Sequence, residues 1–311
     1  MAEAGQRGGR YRRNLALFTL AALLVGALVL ILALSARWAY NYSHPHRSPV
    51  AGTPSDYGLS YEPVTFSSTD GLSLAGWFIY AEGETANGAA IILCHGYGGT
   101  RDDMLPKAAI LTRHGYSALL FDFRAHGESE GNVVTLAYNE VQDVQGAVTY
   151  LLTRPDVDPA RIGLVGESMG GVTAIRTAAR TPEIRAVVAE GAYAALADFI
   201  SDNFTNLTGL PHFPFAPLMV ALGEWQIGLD TDRVRPIDDI DQISPRPVFL
   251  IHGLGDAIVP PENSQRLYRA AREPKLLWQP EGVGHITAVY KRPAEFEARV
   301  IAFFDEALLS N

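Results

Sequence analysis

Apolar and polar positions follow two regimes along this chain. Leu15 to Ala36 is 22 residues without a charge. As a helix rising about 1.5 Å per residue it spans roughly 33 Å, enough for a hydrocarbon core of about 30 Å. It is apolar all round, unlike an amphipathic surface helix. A cleaved signal peptide has a shorter apolar core, roughly 7–15 residues, and small residues at the cut, a pattern that Leu34-Ser35-Ala36 meets poorly. The run reads as an uncleaved transmembrane signal anchor. Residues 37–60 place Pro45, Pro49 and Pro54 among Ser, Gly and His residues, which predicts a linker. His44 and His46 belong to that solvated stretch.

From Tyr61 the period changes. Val64–Ser67 and Leu72–Tyr80 have strand character, and Asp70-Gly71 between them predicts a hairpin turn. Further strands are predicted over Ala89–Cys94, Ser117–Phe123, Arg161–Val165, Ile184–Ala189, Pro247–Ile251 and Lys275–Gln279. Helices are predicted near Asp103–Arg113, near Leu136–Thr153 and from Gly171 onward. Strands alternating with helices make a doubly wound parallel sheet, with active residues on loops at the carboxyl ends of its strands. Between Ala189 and Pro247 the alternation stops. That segment carries Phe199, Phe204, Phe213, Phe215, Met219 and Trp225, interrupted by Pro211, Pro214 and Pro217. It predicts a small helical insertion over about 193–242, within a domain running from 61 to 311.

Charge is segregated. Arg7, Arg10, Arg12 and Arg13 against Glu3 give the first 14 residues a charge of +3, so the remainder carries −12 of the overall −9. That balance argues against a nucleic-acid partner. The basic tail ahead of the apolar run places the N-terminus in the cytoplasm by the positive-inside rule, and the domain on the opposite, extracytoplasmic face. Arg37, just past the run, weakens that bias. The single cysteine, Cys94, falls in a predicted core strand and reads as a small buried hydrophobe. No zinc-type Cys/His spacing, Walker loop or dinucleotide fingerprint is present, so neither metal nor cofactor is expected.

The chemistry sits in Gly166-Glu167-Ser168-Met169-Gly170, between an apolar β-prone run and a helical pattern. This G-x-S-x-G context is that of a nucleophile elbow, where small residues let strand and helix approach closely around a strained serine. A serine hydroxyl needs a base, and the base needs an orienting acid. In chain order Ser, acid, His, the candidates are Ser168, Asp256 in the loop after Pro247–Ile251, and His285 in a Gly-flanked loop before the last helix. Glu190 is the alternative acid. The oxyanion hole requires two backbone N–H groups. Met169 supplies one, and Tyr97 in His95-Gly96-Tyr97-Gly98-Gly99 supplies the other. His126 and His252 read as structural histidines, and Asp122 with Arg124 as a structural pair.

These pieces, with Asp122-Phe123-Arg124-Ala125-His126-Gly127-Glu128-Ser129 and His252-Gly253-Leu254-Gly255-Asp256, resemble the α/β-hydrolase superfamily, in its serine esterase and peptidase-like group. The likeness runs from about Tyr61 to the C-terminus. One position departs: Ala125 stands where such families often carry Gly. The resemblance implies an eight-stranded, mostly parallel sheet, a cap at the insertion, and hydrolysis of an acyl bond. The expected protein is a membrane-anchored serine hydrolase acting on carboxylic esters of small molecules. Thioesters or peptides are the alternative substrates on the same triad, and a noncatalytic binding protein is the alternative class.

Overall fold

The computed structural model describes residues 2–81 and 86–310. Eight strands form one sheet: β1 (Tyr61–Ser67), β2 (Ser73–Ile79), β3 (Ala90–Cys94), β4 (Ser117–Phe121), β5 (Ile162–Glu167), β6 (Ile184–Glu190), β7 (Val248–Ile251) and β8 (Lys275–Trp278). Their spatial order is β1-β2-β4-β3-β5-β6-β7-β8. β1 and β2 pair antiparallel, β2 is antiparallel to β4, and every other pairing is parallel. β3 and β5 are buried throughout, as strands covered on both faces must be. The helices are α1 (Ala2–Ser43), α2 (Leu105–Arg113), α3 (Glu140–Leu152), α4 (Met169–Ala178), α5 (Leu196–Thr208), α6 (His212–Ile227), α7 (Pro236–Asp239), α8 (Glu262–Ala270), α9 (Ala288–Lys291) and α10 (Pro293–Phe304).

Two apolar cores flank the sheet. One packs α3, α4 and α8 through Val144, Val172 and Leu267. The other packs α2 and α10 through Ala108, Phe296 and Val300. From β3 the chain moves first to β4 on one side, then returns to β5 on the other. That reversal opens a crevice at the carboxyl ends of β3 and β5, which is where an open α/β sheet binds ligands.

Two elements differ from the sequence expectation. The helix expected as an anchor does not stop at Ala36; α1 continues to Ser43, so the expected linker starts seven residues late. Ser35, Ala39 and Ser43 are buried, a stripe of helical spacing. Ala39 joins Phe204, Ala216 and Met219 in a third apolar cluster with α5 and α6. Burial of that stripe holds the helix together where Pro45 and Pro49 had suggested an irregular chain. The prolines of the insertion are also placed differently. Pro211 caps α6, Phe213 is non-helical, and Pro217 lies inside the helix, four residues after that kink.

The expected Asp122–Arg124 pair does not form. Asp122 accepts from Arg101 Nη1 at 2.8 Å. Arg124 instead forks onto Asp143 of α3 and Asp70 of the β1–β2 turn. Residues two apart on the chain found separate partners on elements that only the fold brings near.

Two buried histidines shape the loops over the crevice. His95 Nδ1–H donates to the Gly96 carbonyl at 2.7 Å, and its Nε2 accepts from Phe123 N at 3.0 Å. His126 Nδ1–H donates to the Arg124 carbonyl at 2.9 Å, and its Nε2 accepts from Gly98 N at 3.0 Å. Each ring uses one donor and one acceptor, so each must be neutral. Burial lowers both from the ordinary 6.5 to about 4. Unfolding would let both rings take up a proton from about pH 6.5 downward. Their contribution to stability is therefore whole above about 6.5 and is lost as pH falls to about 4, at roughly 1.4 kcal/mol per pH unit for each ring. Denaturant titration of the detergent-solubilised chain across that window should show the decline. In His126→Gln the decline should be shallower by one ring's share, and an unchanged slope would count against a neutral His126.

Candidate active site

Ser168 joins β5 to α4 with φ 51° and ψ −117°, a conformation L-residues rarely adopt. The surrounding glycines explain how it persists. A Cβ on Gly166 would sit 2.2 Å from the Gly170 carbonyl oxygen, and one on Gly170 would sit 2.2 Å from that of Cys94. Strand, turn and helix are thus pressed together at distances only glycine tolerates. Ser168 N donates to the Glu190 carbonyl at 2.8 Å, fixing the turn to β6.

The three residues expected to act together lie in one hydrogen-bonded line. Ser168 Oγ is 2.9 Å from His285 Nε2, and His285 Nδ1 is 2.6 Å from Asp256 Oδ2. The carboxylate sets the tautomer: Nδ1 carries the proton, leaving Nε2 to accept from Ser168 Oγ–H. Asp256 Oδ1 accepts from Ile258 N and Val259 N, each at 2.9 Å. Burial alone would raise the Asp256 carboxyl, but hydrogen bonds from His252, His285 and Val259 N hold it well below the usual carboxylate range. His252 Nε2–H is shared between the Val259 carbonyl at 2.8 Å and Asp256 Oδ2 at 3.2 Å.

The loop carrying Tyr97 passes beside the serine, since a Cβ on Gly96 would come 3.5 Å from Ser168 Cβ. Met169 N lies in the first turn of α4, where N–H groups lack helical partners. Among the described residues neither Tyr97 N nor Met169 N donates to a backbone acceptor. Both remain available to an oxygen bound at Ser168.

Glu190, the alternative acid, is not hydrogen-bonded to His285. Its Oε2 lies 2.9 Å from Lys107 Nζ, and its Oε1 accepts from Ala288 N at 3.0 Å. Lys107 also bonds Glu167, and all three side chains are buried. The sequence reading gave Glu167 no role and did not single out Lys107. The residue's position on the apolar-patterned α2 offered no signal that two carboxylates awaited it. The cluster ties β6 to the start of α9, three residues after His285.

Tyr42 was also missed, because its segment read as linker. Its carbonyl accepts from Tyr97 Oη at 3.0 Å, and its own hydroxyl donates to the Leu207 carbonyl of α5 at 3.2 Å. Burial raises the Tyr97 hydroxyl to about 12, so it stays a donor. The expected cap residues divide. Phe204 is buried, whereas Phe213 and Trp225 are 79% and 81% exposed.

Residues 85–213 match a family profile described as serine aminopeptidase, S33. The chain is 30% identical over 289 residues to the protein YfhR of Salmonella typhimurium, covering 90% of this chain and 93% of YfhR. It is 37% identical over 132 residues, 42% of this chain and 41% of the relative, to the thiohydrolase aneE of Aspergillus aculeatus. Its structure resembles the esterase Pf2001 of Pyrococcus furiosus with a TM-score of 0.71 at 28% identity, over 86% of this chain and 99% of that one. With a near full-length relative at that identity, and this eight-stranded sheet, the chain belongs to the α/β-hydrolase superfamily.

Proposed function

We propose that the protein is a membrane-anchored serine hydrolase that cleaves carboxylic esters. The observation carrying this is the unbroken line from Ser168 Oγ through His285 to Asp256, built on a serine in strained backbone geometry. His285 Nε2 takes the hydroxyl proton as Ser168 Oγ bonds to the acyl carbon. The carbonyl oxygen becomes an oxyanion between Tyr97 N–H and Met169 N–H. Collapse breaks the bond to the leaving oxygen, which receives the proton from His285 and departs as an alcohol. Water then loses a proton to His285 and attacks the acyl-enzyme. The proton returns to Ser168 as the carboxylic acid leaves. Asp256 stays ionised throughout and stabilises the imidazolium. A thioester is the second reading, and the likeness to a protein named thiohydrolase favours it.

The anchor reading rests on α1, whose stretch from Arg10 to Ser43 contains a window of mean hydropathy 2.9 with none of it buried. With the basic tail cytoplasmic, the domain lies on the other face.

Ser168→Ala should lower kcat/KM by about 10⁴-fold or more, and Asp256→Asn by up to about 10⁴-fold, with circular dichroism unchanged. A fluorophosphonate should label the wild type and not Ser168→Ala. If Asp256→Asn kept its activity while Glu190→Gln lost it, the acid would be misassigned. Protease added to intact cells should digest the domain from Tyr61 onward if the exposed face is the cell surface. Protection outside with digestion from the cytoplasmic side would reverse the orientation and leave the chemistry untouched. Because Ala39 and Tyr42 pack on the cap, a chain starting at Arg37 should keep its activity on a short ester. One starting at His44 loses the Tyr42–Tyr97 hydrogen bond and should be several-fold slower.

A further inference from the structure

The anchor helix is part of the site's architecture. Tyr42 touches both the cap and the oxyanion loop, through the Leu207 carbonyl on one side and the Tyr97 hydroxyl on the other. Its ring centroid is 6.3 Å from that of Tyr97. Tyr42 follows Ala36, the end of the uncharged run, by only six helical steps, about 9 Å along the axis. No loop intervenes. If Leu15–Ala36 crosses a bilayer, the oxyanion loop therefore sits at its surface.

An apolar seam runs at this junction. Two adjoining chambers, of about 60 and 50 Å³, share Tyr42, Leu136, Ile200 and Met219 as walls. They lie between α1, the cap helices and the loop before α3. Leu136 and Ala137 adopt φ of 50° and 76° without being glycine. The buried Glu140 carboxylate holds them there, accepting from Thr135 N and Ala137 N at 2.8 Å each. Strain maintained at a pocket wall by a buried carboxylate is a device found at functional sites. On α6, which walls the seam through Met219 and Gly223, Trp225 stands 81% exposed. Tryptophan is enriched in the interfacial layer of a membrane.

We propose that the substrate is a long-chain acyl ester of the bilayer itself, whose acyl chain enters along α1 through this seam to bring its carbonyl to Ser168. This rests on the proposed roles of Ser168 as nucleophile and Leu15–Ala36 as span. As they stand, the chambers hold a few methylene groups. A longer chain must part α1 from the cap. A short ester has no chain to lodge in the seam and needs no such parting.

That requirement is testable by a reversible clamp. A Cβ on Gly223 of α6 would lie 3.6 Å from Ala39 Cβ of α1, inside the roughly 3.5–4.5 Å range for a disulfide. The only native cysteine, Cys94, is buried and cannot compete. The full-length Ala39→Cys/Gly223→Cys protein would be reconstituted in phosphatidylcholine vesicles. Hydrolysis of palmitoyl monoglyceride in the bilayer and of p-nitrophenyl acetate in the water would be followed before and after oxidation. The palmitate-to-acetate rate ratio should fall about tenfold on oxidation and recover with dithiothreitol. Ile200→Trp, which fills both chambers without a cross-link, should lower the same ratio. A ratio unmoved by the disulfide and by the tryptophan overturns the proposal, and would mean that substrate arrives from water. The parent readings report separately. Loss of fluorophosphonate labelling in the reduced protein would strike the assignment of Ser168, and failure of the vesicles to carry the protein on flotation would strike the span.

Discussion

A strand and a helix meeting closer than any side chain allows is the constraint on which the rest depends. Gly166 and Gly170 each press a backbone against a carbonyl that a Cβ would strike at 2.2 Å. The turn between them can then hold Ser168 at positive φ, with its hydroxyl off the end of the sheet and the first N–H of α4 beside it. Backbone strain at such a point costs of order 1–3 kcal/mol and must be offset elsewhere. Here β3, β5 and β6 offset it, as parallel strands buried everywhere but at Arg185, which cannot shift register without exposing their apolar faces. His285 and Asp256 come from loops after the outer strands, so the sheet's twist and spacing decide whether they meet the serine.

The fold was legible in the sequence because its signals are local. Apolar runs such as Ala89–Cys94 and their alternation with helical patterns declare a parallel sheet, and the elbow motif declares its centre. The three candidate residues that the structure brings together, Ser168, His285 and Asp256, could be picked out for the same reason: each sits in a Gly-marked loop just after an apolar run. What escaped were ion pairs and hydrogen bonds between distant segments that no motif marks. Asp122 found Arg101 instead of Arg124, Lys107 found two carboxylates, and Glu190 turned out to hold Ala288 N. Side-chain pairing of this kind leaves no period in the sequence. The end of α1 escaped for a related reason. Pro45 and Pro49 announce a break, but not how far ahead of them a helix persists, and that was settled by apolar packing against Met219 and Phe204.

Buried charge lies on both faces of the sheet, at α2 and at α3. Lys107 answers two buried carboxylates, and Arg124 answers Asp143 and Asp70. Replacing either cation would leave a buried carboxylate uncompensated, Asp143 in one case and Glu167 with Glu190 in the other, which costs several kcal/mol, far more than an intact pair contributes. Such pairs are better regarded as locks on geometry than as sources of stability. The Lys107 cluster fixes the start of α9 relative to β6, and so the path of the loop from which His285 projects. Neutral His95 and His126 do for the Tyr97 loop what the Lys107 cluster does for the His285 loop.

The uninterrupted run of α1 from its apolar stretch to Ser43 also has a mechanical meaning. A flexible tether would let a catalytic domain swivel; a helix transmits torque. Each residue along it turns the helix by about 100°. One residue inserted between Ala36 and Ala39 would rotate every face of the apolar stretch by that angle against a domain held at Ala39 and Tyr42. The same insertion among residues 44–53 would turn nothing. Orientation about the helix axis is thus written into the length of a few residues, and the two halves of the chain are geared to each other.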